Sequence, residues 1–435
     1  MNWNIQILFN VGNQIKTKML HPYPLPKWFV AFCLSAGIAG AIQAAETTGA
    51  LPKVFAADPP TLVASKAALA AGDTPLRPAF NRLLAEADKK LKQPPASVMD
   101  KNQIPPSGDK HDFMSQAPYF WRDTNSPDGK YIRRDGERNP ESGKDSDAGH
   151  FEKLCADAHT LALAFYFSGE EKYAAKAGEF VRVWFLNPAT RMNPNLNFGQ
   201  GVPGETTGRP AGLISARGLV QLVDALGLLA GSKAWTAADQ SGMATWFTDY
   251  LQWLTTSKIG RGELDAKNNH GTFCDAQAAA IALFLGKTEM ARDLVSQARE
   301  KRIARQIEPD GRQPLELART TSFGYSCFNL RALMDLAGIG RAVGVDLWHY
   351  QTADGRGILQ AAEFLAPYAD SNRAWPYQQI HQANLNDLGE LLLRAAAEYP
   401  DSKPVNTALK FFKAEDFAGH PARLYLKLAQ LPATK

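Results

Sequence analysis

The sequence predicts an all-α fold, one large domain of stacked helical hairpins, and three observations lead there. Helical segments follow one another from Phe151 onward with breakers between them, strand signals are few and short, and neither βαβ alternation nor a fixed-period repeat occurs. Periodicity leaves open whether the hairpins close into an α/α toroid or stay an open bundle. With 435 residues, 45% of them hydrophobic, the chain can bury a large core.

The first segment is not expected to belong to the fold. Trp28–Ala45, "WFVAFCLSAGIAGAIQAA", is apolar and rich in small residues, follows Lys16, Lys18 and Lys27, and precedes Glu46. That order reads as a signal peptide over residues 1–45, cut near Ala44 or Ala45, because the apolar run is short for a membrane span. Residues 46–435 are then a single domain, secreted across the inner membrane and expected in the periplasm, without a membrane span of their own. Removing three lysines from 48 basic residues leaves 45 against 44 acidic ones, a net +1 with no nucleic-acid footprint. Cys155, Cys274 and Cys327 remain, an odd number without metal-ligand spacing, and read as small buried residues.

Two helical patterns, "TLVASKAALAAG" and "RPAFNRLLAEADKKLKQ", open the domain. Residues 94–150 then lose the helical period, with seven prolines and the aromatics Phe113, Tyr119, Phe120, Trp121 and Tyr131. A loop this long and this aromatic in a compact domain is expected to be functional. Helices are expected at about 151–168, 170–186, 211–230, 236–257, 271–285, 287–306, 322–338, 357–366, 383–399 and 404–412, with stops such as Asn187-Pro188, Gly231-Ser232 and Tyr399-Pro400.

Several stretches could carry chemistry. In "KNNHGTFCDAQAAA" a helix starting near Gly271 makes Asn268 or Asn269 an N-cap, the plain structural reading. The same start lifts Asn269 and His270 to a helix mouth that favours an anion. In "PLELARTTSFGYSCFNL", Arg319 and Tyr325 would not share a face of a continuous helix, but a start at the capping residues Thr320, Thr321 or Ser322 lets both point into one cleft. The proline-rich stretch adds Tyr119, Trp121, Arg133 and Arg134, a mixture suited to sugar rings and carboxylates. The Gly-rich "NFGQGVPGETTGRPAGLISARG" offers Gln200 and Arg209 but lacks P-loop spacing. HExxH, a Cys/His cluster and GxSxG are all missing from the sequence, and His159 on an apolar helix reads as a core residue.

Five stretches in order, "PPSGDKHDFMSQAPYFW", "YIRRDGERNPE", "KNNHGTFCDAQ", "PLELARTTSFGYSCFNL" and "WPYQQI", resemble the motifs of the alginate lyase domain family of polysaccharide lyases over roughly residues 98–380. The resemblance implies an α/α barrel, or toroid, that cleaves polyuronates such as alginate or glucuronan by β-elimination, with no C-terminal β-sandwich here. It implies an Asn-His pair at Asn269 and His270, an arginine at Arg319 and a catalytic tyrosine at Tyr325. Tyr119, Trp121, Arg134, Gln200, Arg209, Trp375 and Gln378 become candidate substrate contacts. Cys274 and Phe120 depart from the expected pattern and are positions where a subsite would differ.

The chemistry explains those residue types. Removing the C5 proton of a uronate requires its C6 carboxylate to be neutralised, a task for the donors Asn269, His270 and Arg319. Where H5 and O4 share a ring face, as in mannuronate and glucuronate, Tyr325 can serve as base and acid, with nearby Arg319 favouring its ionised form. Where they lie on opposite faces, as in guluronate, His270 becomes the expected base and Tyr325 the acid. The partner is an acidic polysaccharide; neither metal nor cofactor is needed, and the oligomeric state is left open. Two rivals stand: a toroidal glycoside hydrolase, for which Glu205, Glu263, Asp265 or Glu316 would have to supply paired carboxylates, and a non-catalytic polysaccharide-binding protein.

Overall fold

Helices form close to where the hydrophobic period places them, and capping chemistry sets their ends. The computed structural model describes residues 51–144 and 146–431, so the signal-peptide reading of residues 1–45 lies outside the described residues. Helices α1 (Pro59–Ala70) and α2 (Arg77–Leu91) precede three short strands, β1 (Met114–Gln116), β2 (Phe120–Arg122) and β3 (Tyr131–Arg133). α3 (Asp147–Ser168) begins where the Ser146 hydroxyl accepts from Ala148 N–H, and ends at Gly169, whose φ of 74° suits a left-handed cap. α4 (Glu171–Val181) runs into a π-turn, and β4 (Phe198–Gly201) pairs parallel with β1. β2 and β3 form an antiparallel hairpin.

The helix expected over 211–230 is instead a 3₁₀ segment, Pro210–Ala216, followed by α5 (Leu219–Leu228). Gly212 lies so close to Gly199 of β4 that an added Cβ would stand 2.4 Å from its backbone, so the segment is flattened against that strand. α6 (Ala237–Thr256) opens on a capping box between Thr236 and Asp239, and Ser257 caps a short helix not expected from the sequence, α7 (Lys258–Leu264). α8 (Asn269–Phe284), α9 (Thr288–Ala298) and the short α10 (Ala304–Gln306) and α11 (Pro314–Leu317) lead to α12 (Ser322–Ala342). The chain finishes with α13 (Ile358–Leu365), α14 (Leu385–Glu398), α15 (Lys403–Ala408) and α16 (Ala414–Ala418).

An inner row, α3, α5, α8, α12 and α14, packs side by side, with α4, α6, α9 and α13 outside it, giving an α/α toroid. α8 is the pivot: every residue from Gly271 to Ala282 is buried, so small alanines let neighbouring helices approach on all sides. The C-terminal segment bridges the row's ends, with Tyr425 edge-on to His159 of α3 and Ala429 N–H donating to Leu393 O of α14 at 3.0 Å. Burial pushes the His159 imidazole down to about 4, as befits a core histidine. Cys155, Cys274 and Cys327 are free and buried. Pro210–Leu228 is apolar enough to cross a membrane by length and composition, yet its apolar window is two-thirds buried in the toroid. Among the described residues helices continue to Ala418, and no β-sandwich follows them.

Candidate active site

The N-terminal ends of α8 and α12, the Pro210–Ala216 segment and the β1–β3 region converge on one cavity of about 790 Å³. Asn269, His270, Arg319 and Tyr325 all border it. Each of the three non-tyrosine groups has its own carboxylate behind it.

Asn268 holds the N-cap position of α8, but its side chain makes no capping bond. Glu316, from α11, caps the helix instead: Asn269 N–H donates to Glu316 Oε1 at 2.8 Å and Asn269 Nδ2 to Oε2 at 2.7 Å. Both residues are 1% exposed, and Asn269 Oδ1 is buried without a partner. Burial pushes the Glu316 carboxyl above its ordinary value against those two bonds and the nearby charges of Arg319 and His270. His270 Nδ1 lies 2.6 Å from Oε1 of Glu263, itself 2% exposed. A carboxylate there accepts the Nδ1 proton and leaves Nε2 as the imidazole's free nitrogen. Arg302 holds the approach to α8, donating to Leu264 O at 2.6 Å and pairing with Asp275 at 2.7 Å.

Arg319 lies in the break between α11 and α12. Its Nε and Nη2 grip Asp135 at 2.9 and 2.7 Å, and Nη2 also donates to Tyr325 Oη at 2.7 Å. The capping expected of Thr320–Ser322 is done from outside: Thr321 makes no side-chain cap bond, and Gln379 Oε1 accepts from Phe323 N–H at 3.0 Å. Tyr119 Oη lies 2.8 Å from Tyr325 Oη. Arg319 is expected to favour the ionised form of Tyr325, and it does pull the phenol's pKa down, but the net shift runs the other way. Burial and Tyr119 push the phenol well above its ordinary range, and Arg319, opposed in turn by Asp135, does not overcome them.

Of the expected substrate contacts, Tyr119, Gln200 and Arg209 border the cavity. Gln200 takes a left-handed φ of 51°, and its Oε1 accepts from Arg209 Nη2 at 2.8 Å. Such backbone strain in a non-glycine residue is typical of functional sites. Trp121, Arg134, Trp375 and Gln378 do not border it. Trp121 donates to Glu137 O at 2.9 Å and stacks under Arg134. Trp375 donates to Ser322 Oγ at 2.7 Å, and Gln378 uses its backbone carbonyl on the same serine, so both brace the start of α12. Cys274 is fully buried in the core and shapes no subsite, while Phe120 lies beneath the Arg209 guanidinium.

Sequence reasoning missed Asp135 entirely and assigned Glu263 and Glu316 to a rival chemistry. Neither glutamate is free to act as a hydrolase acid, and Glu205 and Asp265 are exposed and do not border the cavity. Arg133, Arg138 and the Arg217–Glu152 pair at 2.7 Å complete the wall. Among the described residues no group of three or more His, Cys, Asp or Glu side chains is placed to hold a metal ion.

A family model described as alginate lyase matches residues 97–375. Among solved structures the chain is similar to an alginate lyase from Bacteroides ovatus, with 41% identity and a TM-score of 0.82 over 86% of this chain and 99% of that one. It shares its fold with alginate lyase A1-III from Sphingomonas species A1 at 16% identity, TM-score 0.50, covering 82% and 97% of the two chains. A histidine-to-alanine variant of A1-III complexed with a tetrasaccharide gives 17% identity and a TM-score of 0.55, over 88% of this chain and 98% of that one. No curated protein matches the chain at a significant level.

Proposed function

The chain belongs to the alginate lyase family and is a polysaccharide lyase, and we propose that it cleaves a polyuronate, alginate or a glucuronan-like polymer, by β-elimination. A base takes H5, the C4–O4 bond breaks as C4=C5 forms, and an acid returns a proton to O4. In this reading Tyr325 shuttles the proton, and Asn269, His270 and Arg319 hold the C6 carboxylate. Tyr119, Gln200 and Arg209 touch the polymer. Trp121, Arg134, Trp375 and Gln378 act only through the elements they brace.

The observation that carries the reading is the 2.7 Å bond from Arg319 to the Tyr325 hydroxyl, at the wall of a cavity that also bears Arg133, Arg138, Arg209 and Arg217. Four further arginines suit a repeating anion rather than a neutral glycan. The tetrasaccharide bound by the A1-III variant supports an oligosaccharide occupant for such a cavity. One observation favours a second route: burial and Tyr119 keep Tyr325 protonated, which suits it as the acid, with the Glu263-backed His270 as base. That route serves uronates whose H5 and O4 lie on opposite ring faces.

The test is to incubate residues 46–435 with polymannuronate, polyguluronate, glucuronan and hyaluronan and follow the absorbance of the C4=C5 bond. Absorbance growth on at least one polyuronate is expected. New reducing ends without that chromophore would mean hydrolysis, and binding without either would mean a silent polysaccharide-binding protein. Export to the periplasm is part of the proposal; cell fractionation that left the protein cytoplasmic would overturn it.

A further inference from the structure

Asn269 poses a chemical difficulty for the carboxylate-holding role just proposed. An ionised Glu316 can only accept, so both of its bonds must be donated by Asn269, from the backbone N–H and from Nδ2. The amide oxygen is then left buried with no partner, a state that native interiors avoid. It would also set a carbonyl oxygen, an acceptor, against an incoming carboxylate.

Exchanging the nitrogen and oxygen of the amide leaves every heavy atom in place. We propose that Glu316 is a positioning residue that works as the neutral acid: its proton on Oε2 is donated to the Asn269 amide oxygen, which turns the amide nitrogen toward the uronate. This rests on the β-elimination reading above. The 2.7 Å contact then joins a carboxylic O–H to the amide carbonyl, and Oε1 still accepts from Asn269 N–H at 2.8 Å, so the cap on α8 is kept. The orphaned oxygen gains a donor, and the freed NH₂ awaits an anion.

The surroundings fit a protonated group. Glu316 is 1% exposed, and burial is the largest influence on it. Opposing charges come from Arg319 on its own segment and His270 on α8. Arg319 is gripped by Asp135 and His270 faces Glu263, so each is already matched by another carboxylate.

Glu316→Gln has the hydrogen-bonding pattern of the neutral acid: its NH₂ donates to the Asn269 oxygen and its carbonyl accepts from Asn269 N–H. Glu316→Ala should lower kcat/KM about 10²-fold, the scale of a misplaced contact group, and Glu316→Gln should restore most of that loss. KM for a uronate oligomer should rise with pH in the wild type, as Glu316 ionises, and stay flat in Glu316→Gln. A glutamine variant that melts like the wild type yet is as impaired as the alanine variant would overturn the proposal. If the glutamine variant does not fold, neutron diffraction of wild-type crystals decides: a deuteron on Glu316 supports it, and an Asn269 ND₂ group aimed at a bare Glu316 overturns it. A wild type that forms no unsaturated product would overturn the lyase substrate reading instead.

Discussion

Arg319 and Tyr325 stand six residues apart and yet meet at 2.7 Å, with the guanidinium carbon 3.6 Å from the centre of the phenol ring. On an unbroken helix they would be separated by about 240°. The break between α11 and α12 folds Arg319 back over the first turn of α12, and Asp135 fixes it there. The guanidinium thus serves two groups at once, a carboxylate that balances its charge and a phenol at the cavity wall.

Tyr325→Phe removes the proton carrier and leaves the ring. The expected loss is about 10²- to 10⁴-fold in kcat, the range for a general acid–base group, with little change in oligosaccharide binding. Full lyase activity in this variant, measured by double-bond absorbance, would remove Tyr325 from the mechanism.

Tyr119→Phe tests which proton form of Tyr325 works. Tyr119 Oη lies 2.8 Å from Tyr325 Oη, to which Arg319 also donates, and the Tyr119 contact favours the neutral phenol. Losing it should ease ionisation of Tyr325. If Tyr325 is the base, the rising limb of the pH–rate profile moves to lower pH; an unmoved limb would assign the base to His270.

Asp135→Asn should free Arg319 from its fixed place and lower kcat by about 10²-fold, as a small misplacement at a reacting centre does. Burial alone would raise the Asp135 carboxyl, but the Arg319 guanidinium and Thr320 N–H hold it well below the usual carboxylate range. A depressed native value means that the pairing stabilises the fold at pH above about 4, the unfolded value. That stabilisation is lost as pH falls below it. Denaturant melts should therefore show the largest gap between wild type and Asp135→Asn at neutral pH, closing in acid.

Glu263→Ala should leave the fold nearly intact while His270 loses the acceptor that fixes its tautomer. A drop of about 10- to 10²-fold in kcat, with Glu263→Gln intermediate, is expected if oriented His270 matters. Equal kcat in all three proteins would reduce Glu263 to a buried bystander.

Arg302→Ala probes the support beneath the site. It would strand Asp275, 4% exposed, and release Leu264 O. Breaking a buried pair by removing one partner costs about 3–5 kcal/mol, readable as a lower denaturation midpoint. Gly271→Ala should also destabilise, because its Cβ would stand 2.1 Å from Ala266 O, and overpacking of this kind costs about 1–3 kcal/mol.

Much of the fold was legible because helix periodicity and breakers are local signals. Ser146, Gly169 and Thr236 act as caps through contacts within a few residues, so α3 and α6 lie near their expected limits. The helix expected over 211–230 failed for a non-local reason: Gly212 packs on Gly199, a contact that no local pattern announces. Trp121 and Arg134 could not be sorted by composition, because an aromatic–cation pair that stacks on itself has the same residues as a sugar platform. Only their place outside the cavity distinguishes the two.

By itself the sequence determined that the chain is helical, which segments carry polar tips, and that Asn269, His270, Arg319 and Tyr325 belong to one family of motifs. Tertiary structure alone decided what stands behind each of them. Asp135, Glu263 and Glu316 come from 184, 7 and 47 residues away from their partners. The physical reason is that a carboxylate's role depends on which cation or amide it faces and on how much water is excluded, and both are properties of packing across the toroid rather than of neighbouring sequence.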